Sequence, residues 1–237
     1  MKYLHVAILL ALMSVPFVRA EGEEQHLFVL SGQSNMARLN PCVSFIPTVE
    51  AAFGKDNVIV VKDAHRGEPI RRWYKEWKPL QDKKPRSNAA LYDHLMRKVN
   101  AEIKGRKIRT VTLVWMQGER DAREKHGEVY ADSLKGLIGQ LADDLGRKDI
   151  NFVIGRLSDF NNEQWPHWTM VRKSQVEVAE ASLRGAWVDT DDLNGASNSI
   201  HYSIEGYKTL GKRFAQKAIA LIEKHDELNK AMDSEKK

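Results

Sequence analysis

Short apolar runs rich in Val and Ile alternate along the chain with longer segments in which apolar residues recur every three or four positions. The runs are HLFVLSG (26–32), NVIVVKD (57–63), IRTVTLVWMQG (108–118), INFVIGRL (150–157) and GAWVDT (185–190). Their length and β-branched content predict five strands buried on both faces. Between them, Leu91, Leu95, Val99 and Ile103 form one helical stripe, with Ser87 or Asn88 placed to cap it. Tyr130, Leu134, Leu137, Ile138, Leu141 and Leu145 form a second, and WTMVRKSQVEVAEAS (168–182) a third. Ile204, Tyr207, Leu210, Phe214, Ala218 and Leu221 form the last, opening at Ser203. Strand and helix in alternation predict an α/β domain: a parallel sheet of about five strands with helices on both faces.

Two ends and one middle segment break the pattern. Residues 1–20 hold an early Lys2, an apolar run from Val6 to Met13 and the small-residue ending Val18-Arg19-Ala20. This reads as a signal peptide cut after Ala20, because the run is short for a membrane span. The expected domain then covers 21–222, followed by a charged, fraying tail over 223–237. An exported protein with no membrane span after cleavage follows, in the periplasm or outside the cell. Ala64 to Arg86 is a long stretch with no period, and a loop of that length in a small domain is more often functional than idle.

Composition changes this picture little. With 42% hydrophobic and 29% charged residues in 237, the chain is an ordinary globular one. Removing Lys2 and Arg19 with the leader lowers the formal charge from +5 to +3, too slight an excess to argue for nucleic acid. Cys42 is the only cysteine, so no internal disulfide and no thiolate zinc site can form, and a buried, inert thiol is expected. His65 and nearby acids show no His-Glu-x-x-His spacing, so no metal is expected.

The chemistry collects where the strands end. In open α/β sheets ligands bind outside the carboxyl ends of the strands. Ser31-Gly32-Gln33-Ser34-Asn35 follows the first strand, His65-Arg66-Gly67 the second, and Gln117-Gly118-Glu119-Arg120-Asp121 the third. Arg156, Ser158 and Asp159 follow the fourth; Asp189, Asp191, Asp192 and then NSIH (198–201) follow the fifth. Acyl transfer needs an exposed serine, a histidine in reach and N–H donors for an oxyanion. Ser34, just past a strand and at a helix start, fits the nucleophile, whereas Ser31 is the strand's last residue. His201 is the base candidate, because the other late histidine, His225, lies in the charged tail. Gly67 can supply a backbone donor and Gln117 a side-chain amide.

GQSNM (32–36), QGERDA (117–122) and VDTDDL…NSIHYSIEGYKTLGKR (188–213), in that order, resemble the SGNH-hydrolase superfamily. The likeness is to its sialate O-acetylesterase and acetylxylan-esterase branch, the family 6 type of carbohydrate esterase, and it spans about Leu27 to Ile222. The resemblance implies a three-layer flavodoxin-like fold and a serine acyl-enzyme that removes acetyl groups from sugars without metal or cofactor. It implies Ser34 as nucleophile with its own N–H in the oxyanion hole, Gly67 as second donor, and Gln117 in place of the superfamily's oxyanion asparagine. His201 matches the base. Glu119 and Asp121 match a QGESDA motif in which Arg120 replaces the usual serine. Gln33, Asn35 and Glu119 are supporting residues. Arg71, Arg72 and Trp73 fit either a sugar subsite or a solvated loop, and Trp165 and Trp168 fit core packing.

One position departs. The family's last motif is Asp-x-x-His, and here Asn198 stands at the acid. In a serine protease the equivalent Asp-to-Asn change lowers kcat by about 10⁴. Three readings stay open: a Ser–His pair oriented by Asn198 or a backbone carbonyl; a substitute acid, Asp191, Asp192 or Glu119; or a weak or inactive esterase fold that binds glycans. Aryl or lipid esters are a further alternative substrate class, disfavoured by the lack of an apolar lid.

Overall fold

A computed structural model describes residues 24–80, 85–160, 165–196 and 199–235. The expected leader over 1–20 and Asn198 lie outside the described residues. All five strands form: β1 (Gln25–Gly32), β2 (Val58–Ala64), β3 (Ile108–Met116), β4 (Asn151–Gly155) and β5 (Gly185–Val188). They make one sheet in the order β2-β1-β3-β4-β5, and every pairing is parallel. The chain thus winds outward from β1 in one direction to β2, then returns to run β3, β4 and β5 the other way. That reversal leaves a crevice between the ends of β1 and β3, the place where such folds bind ligands.

Burial follows position in the sheet. β1, an interior strand, is buried over seven consecutive residues, and β4 is buried throughout. The edge strand β2 instead alternates between half-buried and buried, since one of its faces is thinly covered. Helices α2 (Phe45–Phe53) and α7 (Ile204–Glu235) pack together on one face, while α3 (Ala90–Ile103), α5 (Tyr130–Asp144) and α6 (Pro166–Glu180) cover the other. Short helices α1 (Ser34–Arg38) and α4 (Glu119–Arg123) begin at the ends of β1 and β3. The three layers enclose a continuous core in which Phe28, Trp73, Trp115, Tyr130, Trp168 and Phe214 are fully buried. Among the described residues no helix is long and apolar enough to cross a membrane.

Four expectations change. The charged end continues the last helix: α7 runs unbroken to Glu235, because no Gly or Pro follows Gly211 and its long charged side chains favour helix. An Arg109–Asp226 ion pair at 2.8 Å and a contact of His225 Nε2 with the Leu183 carbonyl at 3.2 Å hold it at those two residues, and 227–234 are exposed. Ile204, expected on the buried stripe, starts the helix and is 87% exposed. Helix α2 has no counterpart in the periodic pattern, since Pro47 interrupts it; the proline sits in the first turn, where its missing N–H has no helical acceptor to lose. Cys42 is exposed in the 3₁₀ turn Pro41–Val43, not buried.

The turn after β1 depends on Gly32. Its φ is +138°, and a Cβ there would lie 2.0 Å from the Met116 carbonyl oxygen of the neighbouring strand. Both the conformation and the close approach of two backbones require glycine. Gly32→Ala is expected to destabilise the protein by about 3 kcal/mol or more; an unchanged urea midpoint would show that β1 and β3 can separate there at little cost.

Candidate active site

β1 delivers the motif residues to the crevice in strict succession. Ser31 is spent structurally, its hydroxyl donating to the Asp63 carbonyl at 2.7 Å. Gln33 N–H donates to the Met116 carbonyl at 2.9 Å, which ends the strand, and Ser34 opens α1. As the first residue of that helix, Ser34 has an N–H with no acceptor inside it. Across the crevice, the turn before α7 carries His201. Ser203 starts this helix: its hydroxyl accepts from Gly206 N–H at 3.0 Å.

The two sequence candidates meet. His201 Nε2 lies 3.1 Å from Ser34 Oγ, within reach for proton transfer between residues 167 apart. Both line a cleft of about 190 Å³ together with Gln33, Gly67, Glu119 and Ile200. Gly67 has φ +70°, in the turn that follows β2. His65 N–H ties that turn to the Gly32 carbonyl at 2.9 Å.

Asn35 holds the two halves in register. Its amide donates to Glu119 Oε1 at 2.8 Å and to the Ile200 carbonyl at 3.1 Å, one residue before His201. Tyr207 OH donates to its oxygen at 2.9 Å. Beneath lies a second buried set. Gln117 amide donates to Asp121 Oδ2 at 2.5 Å, and to Gln33 Oε1 and the Glu68 carbonyl, both at 3.2 Å. Tyr130 OH and the Gln175 amide donate to the Gln117 carbonyl at 2.7 and 2.8 Å.

This network decides several expectations. Gln117 is fully buried, does not line the cleft, and has its amide committed, so its role is to hold Gln33 and Asp121. Gln33 does line the cleft, and its oxygen accepts from Arg120 N–H at 3.2 Å and Gly118 N–H at 3.4 Å. Trp73 is no sugar platform: it packs edge-on to Trp115 at 5.3 Å in the core. Arg71 is drawn away to Glu124, under Trp77, and Arg72 sits by Glu68. Trp168 is core as expected, and Trp165 packs partly buried beside it.

None of the proposed substitute acids orients the histidine. Asp191 is held by Arg156 and Arg172, both at 2.7 Å, Asp192 by Arg213 at 2.6 Å, and Glu119 by Asn35. Among the described residues Nδ1 of His201 has no side-chain partner. Burial, then the positive charges of Arg38, Arg123 and Arg66, hold the imidazole below its ordinary pKa. These three arginines, with Arg120, line the cleft; only Arg120 has a carboxylate partner among the described residues, Glu124 at 2.6 Å. Periodicity gave no sign of them, since Arg38 and Arg123 end short helices and Arg66 lies in a turn. Tyr207 was read as a core residue of a helical stripe; its hydroxyl reaches Asn35.

The family model for carbohydrate esterases described as sialic acid-specific acetylesterases matches residues 37–220, and the chain belongs to that family. It is accordingly a carboxylic ester hydrolase, of the carbohydrate acetylesterase kind. No curated protein matches it. Among solved structures, a protein from Arabidopsis thaliana is similar at 19% identity with a TM-score of 0.66, over 84% of this chain and 99% of that one. A carbohydrate acetylesterase from Xanthomonas citri is similar at 16% identity with a TM-score of 0.59, over 81% of this chain and 54% of that one, so this chain spans about half its length. The structure of NanS is similar at 13% identity with a TM-score of 0.60, over 87% of this chain and 99% of that one. These likenesses show the three-layer α/β fold.

Glu119 is almost wholly buried, with Oε2 unpartnered among the described residues, and burial pushes its carboxyl up to about 7. A pKa raised on folding stabilises the protein fully below the unfolded value and loses that stabilisation as pH rises through the folded one. Replacing Glu119 with Gln keeps the acceptor for Asn35 and removes the titration. Between about pH 4 and about pH 8, Glu119→Gln is therefore expected to gain about 3 kcal/mol on wild type. Urea titrations of both proteins at several pH values check this; a difference that stays flat with pH would mean the carboxyl is not shifted.

Proposed function

We propose that the protein removes O-acetyl groups from acidic carbohydrates through an acyl-enzyme on Ser34. The observation that carries this is the 3.1 Å contact between Ser34 Oγ and His201 Nε2 at the switch point of the sheet. Neutral His201 takes the hydroxyl proton as Oγ attacks the acetyl carbonyl. The Ser34 and Gly67 N–H groups receive the oxyanion, with the Gln33 amide beside them. His201 returns the proton to the departing sugar oxygen. Water then attacks the acetyl ester, His201 again accepting the proton, and acetate leaves with Ser34 restored. No orienting carboxylate is needed for these transfers; what the described residues do not supply is the charge that would stabilise the imidazolium.

The arginines favour an acidic sugar over a neutral xylan. Arg38, Arg66 and Arg123 have no carboxylate partner among the described residues and border the reacting serine. Guanidinium forks suit a sugar carboxylate, as in a sialic acid. The same charges line the mouth with polar groups and disfavour a lipid chain.

Acetate release from acetylated sialic acid, acetylated xylan and p-nitrophenyl acetate tests this reading. Wild type is expected to favour the sialic acid, and Ser34→Ala to lower kcat by about 10³-fold or more with an unchanged melting temperature. Turnover that persists in pure, folded Ser34→Ala sinks the mechanism; tight sugar binding by wild type without acetate release moves a glycan-binding role to the front.

The depressed His201 pKa sets the pH profile. The base works neutral, so kcat/KM should hold its plateau down to a midpoint below the ordinary value of about 6.5 and fall as the ring protonates. Arg123→Gln removes a positive charge beside the ring and should move that midpoint upward, raising KM for the acidic sugar but not for p-nitrophenyl acetate. A wild-type midpoint above about 6.5 would instead reveal a carboxylate facing the imidazole.

A further inference from the structure

Where β2 ends, against α3, stands a cluster that the esterase chemistry does not use. Asp63 is the penultimate residue of β2, His65 follows that strand, and His94 lies on α3, which packs against it. Asp63 Oδ2 is 2.9 Å from His65 Nε2, and both its oxygens are 3.0 Å from His94 Nδ1. The two imidazole rings meet edge-on with centroids 5.8 Å apart. One ligand atom from each residue falls within 4.8 Å of the others.

We propose that Asp63, His65 and His94 form a binding site for a divalent transition-metal ion of the zinc class. In a tetrahedral zinc site with bonds of roughly 2.0–2.1 Å the ligand atoms stand roughly 3.3 Å apart, so the carboxylate–imidazole spacings need only small adjustment. Two imidazoles and a carboxylate suit zinc, nickel or copper over magnesium or calcium, which prefer all-oxygen shells. The donors are also differently placed for access. The Asp63 side chain is 3% exposed, whereas those of His65 and His94 are 34% and 43% exposed. The rings therefore border solvent, from which water completes the shell, while the carboxylate anchors the ion from below.

The backbone around the anchor is already fixed, as outer partners of metal ligands usually are. Ser31 Oγ donates to the Asp63 carbonyl, and His65 N–H to the Gly32 carbonyl. A competitor occupies part of the site: Lys98 Nζ stands 2.5 Å from Asp63 Oδ1. Its side chain is 45% exposed, so an incoming ion can displace the ammonium into water. The ligands are separated by 2 and 31 positions from Asp63, which is why no short motif marks them.

Binding to this site does not rest on the proposed esterase mechanism. It is tested with untagged, metal-stripped protein, titrated with Zn²⁺ in a calorimeter and with Co²⁺ by visible absorption. Wild type is expected to take up one equivalent. His65→Gln and His94→Gln should each weaken it by at least the roughly 10–100-fold that loss of even an outer partner costs. Lys98→Met, which removes the competing ammonium, should tighten it by about tenfold, and His201→Ala should leave it unchanged. Absence of binding in both wild type and Lys98→Met at roughly 100 μM metal overturns the proposal. So does uptake that survives in both His65→Gln and His94→Gln, or that vanishes in His201→Ala while Ser34→Ala stays folded and binds as wild type.

Discussion

The site depends on one side-chain amide. Asn35 is almost wholly buried and satisfies its donors and acceptor with Glu119, Ile200 and Tyr207, which come from positions 84, 165 and 172 residues away. It sits next to the nucleophile candidate and grips the residue before the histidine. No local secondary structure could bring Ser34 and His201 to contact, because they close a loop of nearly the whole domain. The sheet places both near the crevice, and the amide fixes the last ångströms. A buried amide held at three points has few alternatives, since each broken bond would leave an unpaired polar group.

The support beneath has a cost. Two carboxyls, Glu119 and Asp121, are buried on one short helix, and burial raises Asp121 to about 6 as it raises Glu119 to about 7. Each has one oxygen without a partner among the described residues. Apolar residues there would be cheaper for stability. What the carboxyls do is fix amides: Glu119 takes Asn35, and Asp121 takes Gln117 and Ile70 N–H at 2.9 Å. Gln117 in turn sets Gln33, whose oxygen also collects the N–H groups that open α4. The network thus joins the ends of β1 and β3 across the switch point, where the sheet itself no longer pairs.

Strand positions and four of the five longer helices were legible because their periods come from burial in a regular layer, and Ser34, Gly67 and His201 were legible because strand ends converge. What escaped has physical causes. Pro47 hides α2, since a proline reads as a break although the first helical turn has no hydrogen bond for it to remove. Trp73 and Arg71 lie in a stretch with no period, where sequence cannot separate an aromatic that greets a sugar from one that fills the core. Gln117 sits in a motif that marks the site, yet its spacing says nothing about which way its amide turns. Asp63 and His94 face each other only through the packing of α3 on β2. In the tail, charge alone does not separate helix from coil: long charged side chains solvate a helix face as readily as they unfold one.

The cationic cleft and the lack of an orienting acid among the described residues belong to one electrostatic argument. A carboxylate beside His201 would raise the imidazole pKa and stabilise the imidazolium. The described surroundings act the other way, with Asp191 and Asp192 neutralised by Arg156, Arg172 and Arg213 and three arginines left facing the cleft. Such a field weakens the base. It also favours every anion the proposed reaction passes through: the sugar carboxylate, the oxyanion on the acetyl carbon and the departing acetate. Acetyl esters ask less of the imidazolium than amides do, because a sugar alkoxide is a far better leaving group than an amine's anion, which cannot depart until its nitrogen is protonated. A site that spends its charge on the anions and leaves the histidine a weaker, still neutral base at physiological pH is therefore consistent with ester cleavage, where the same arrangement would fail a peptidase.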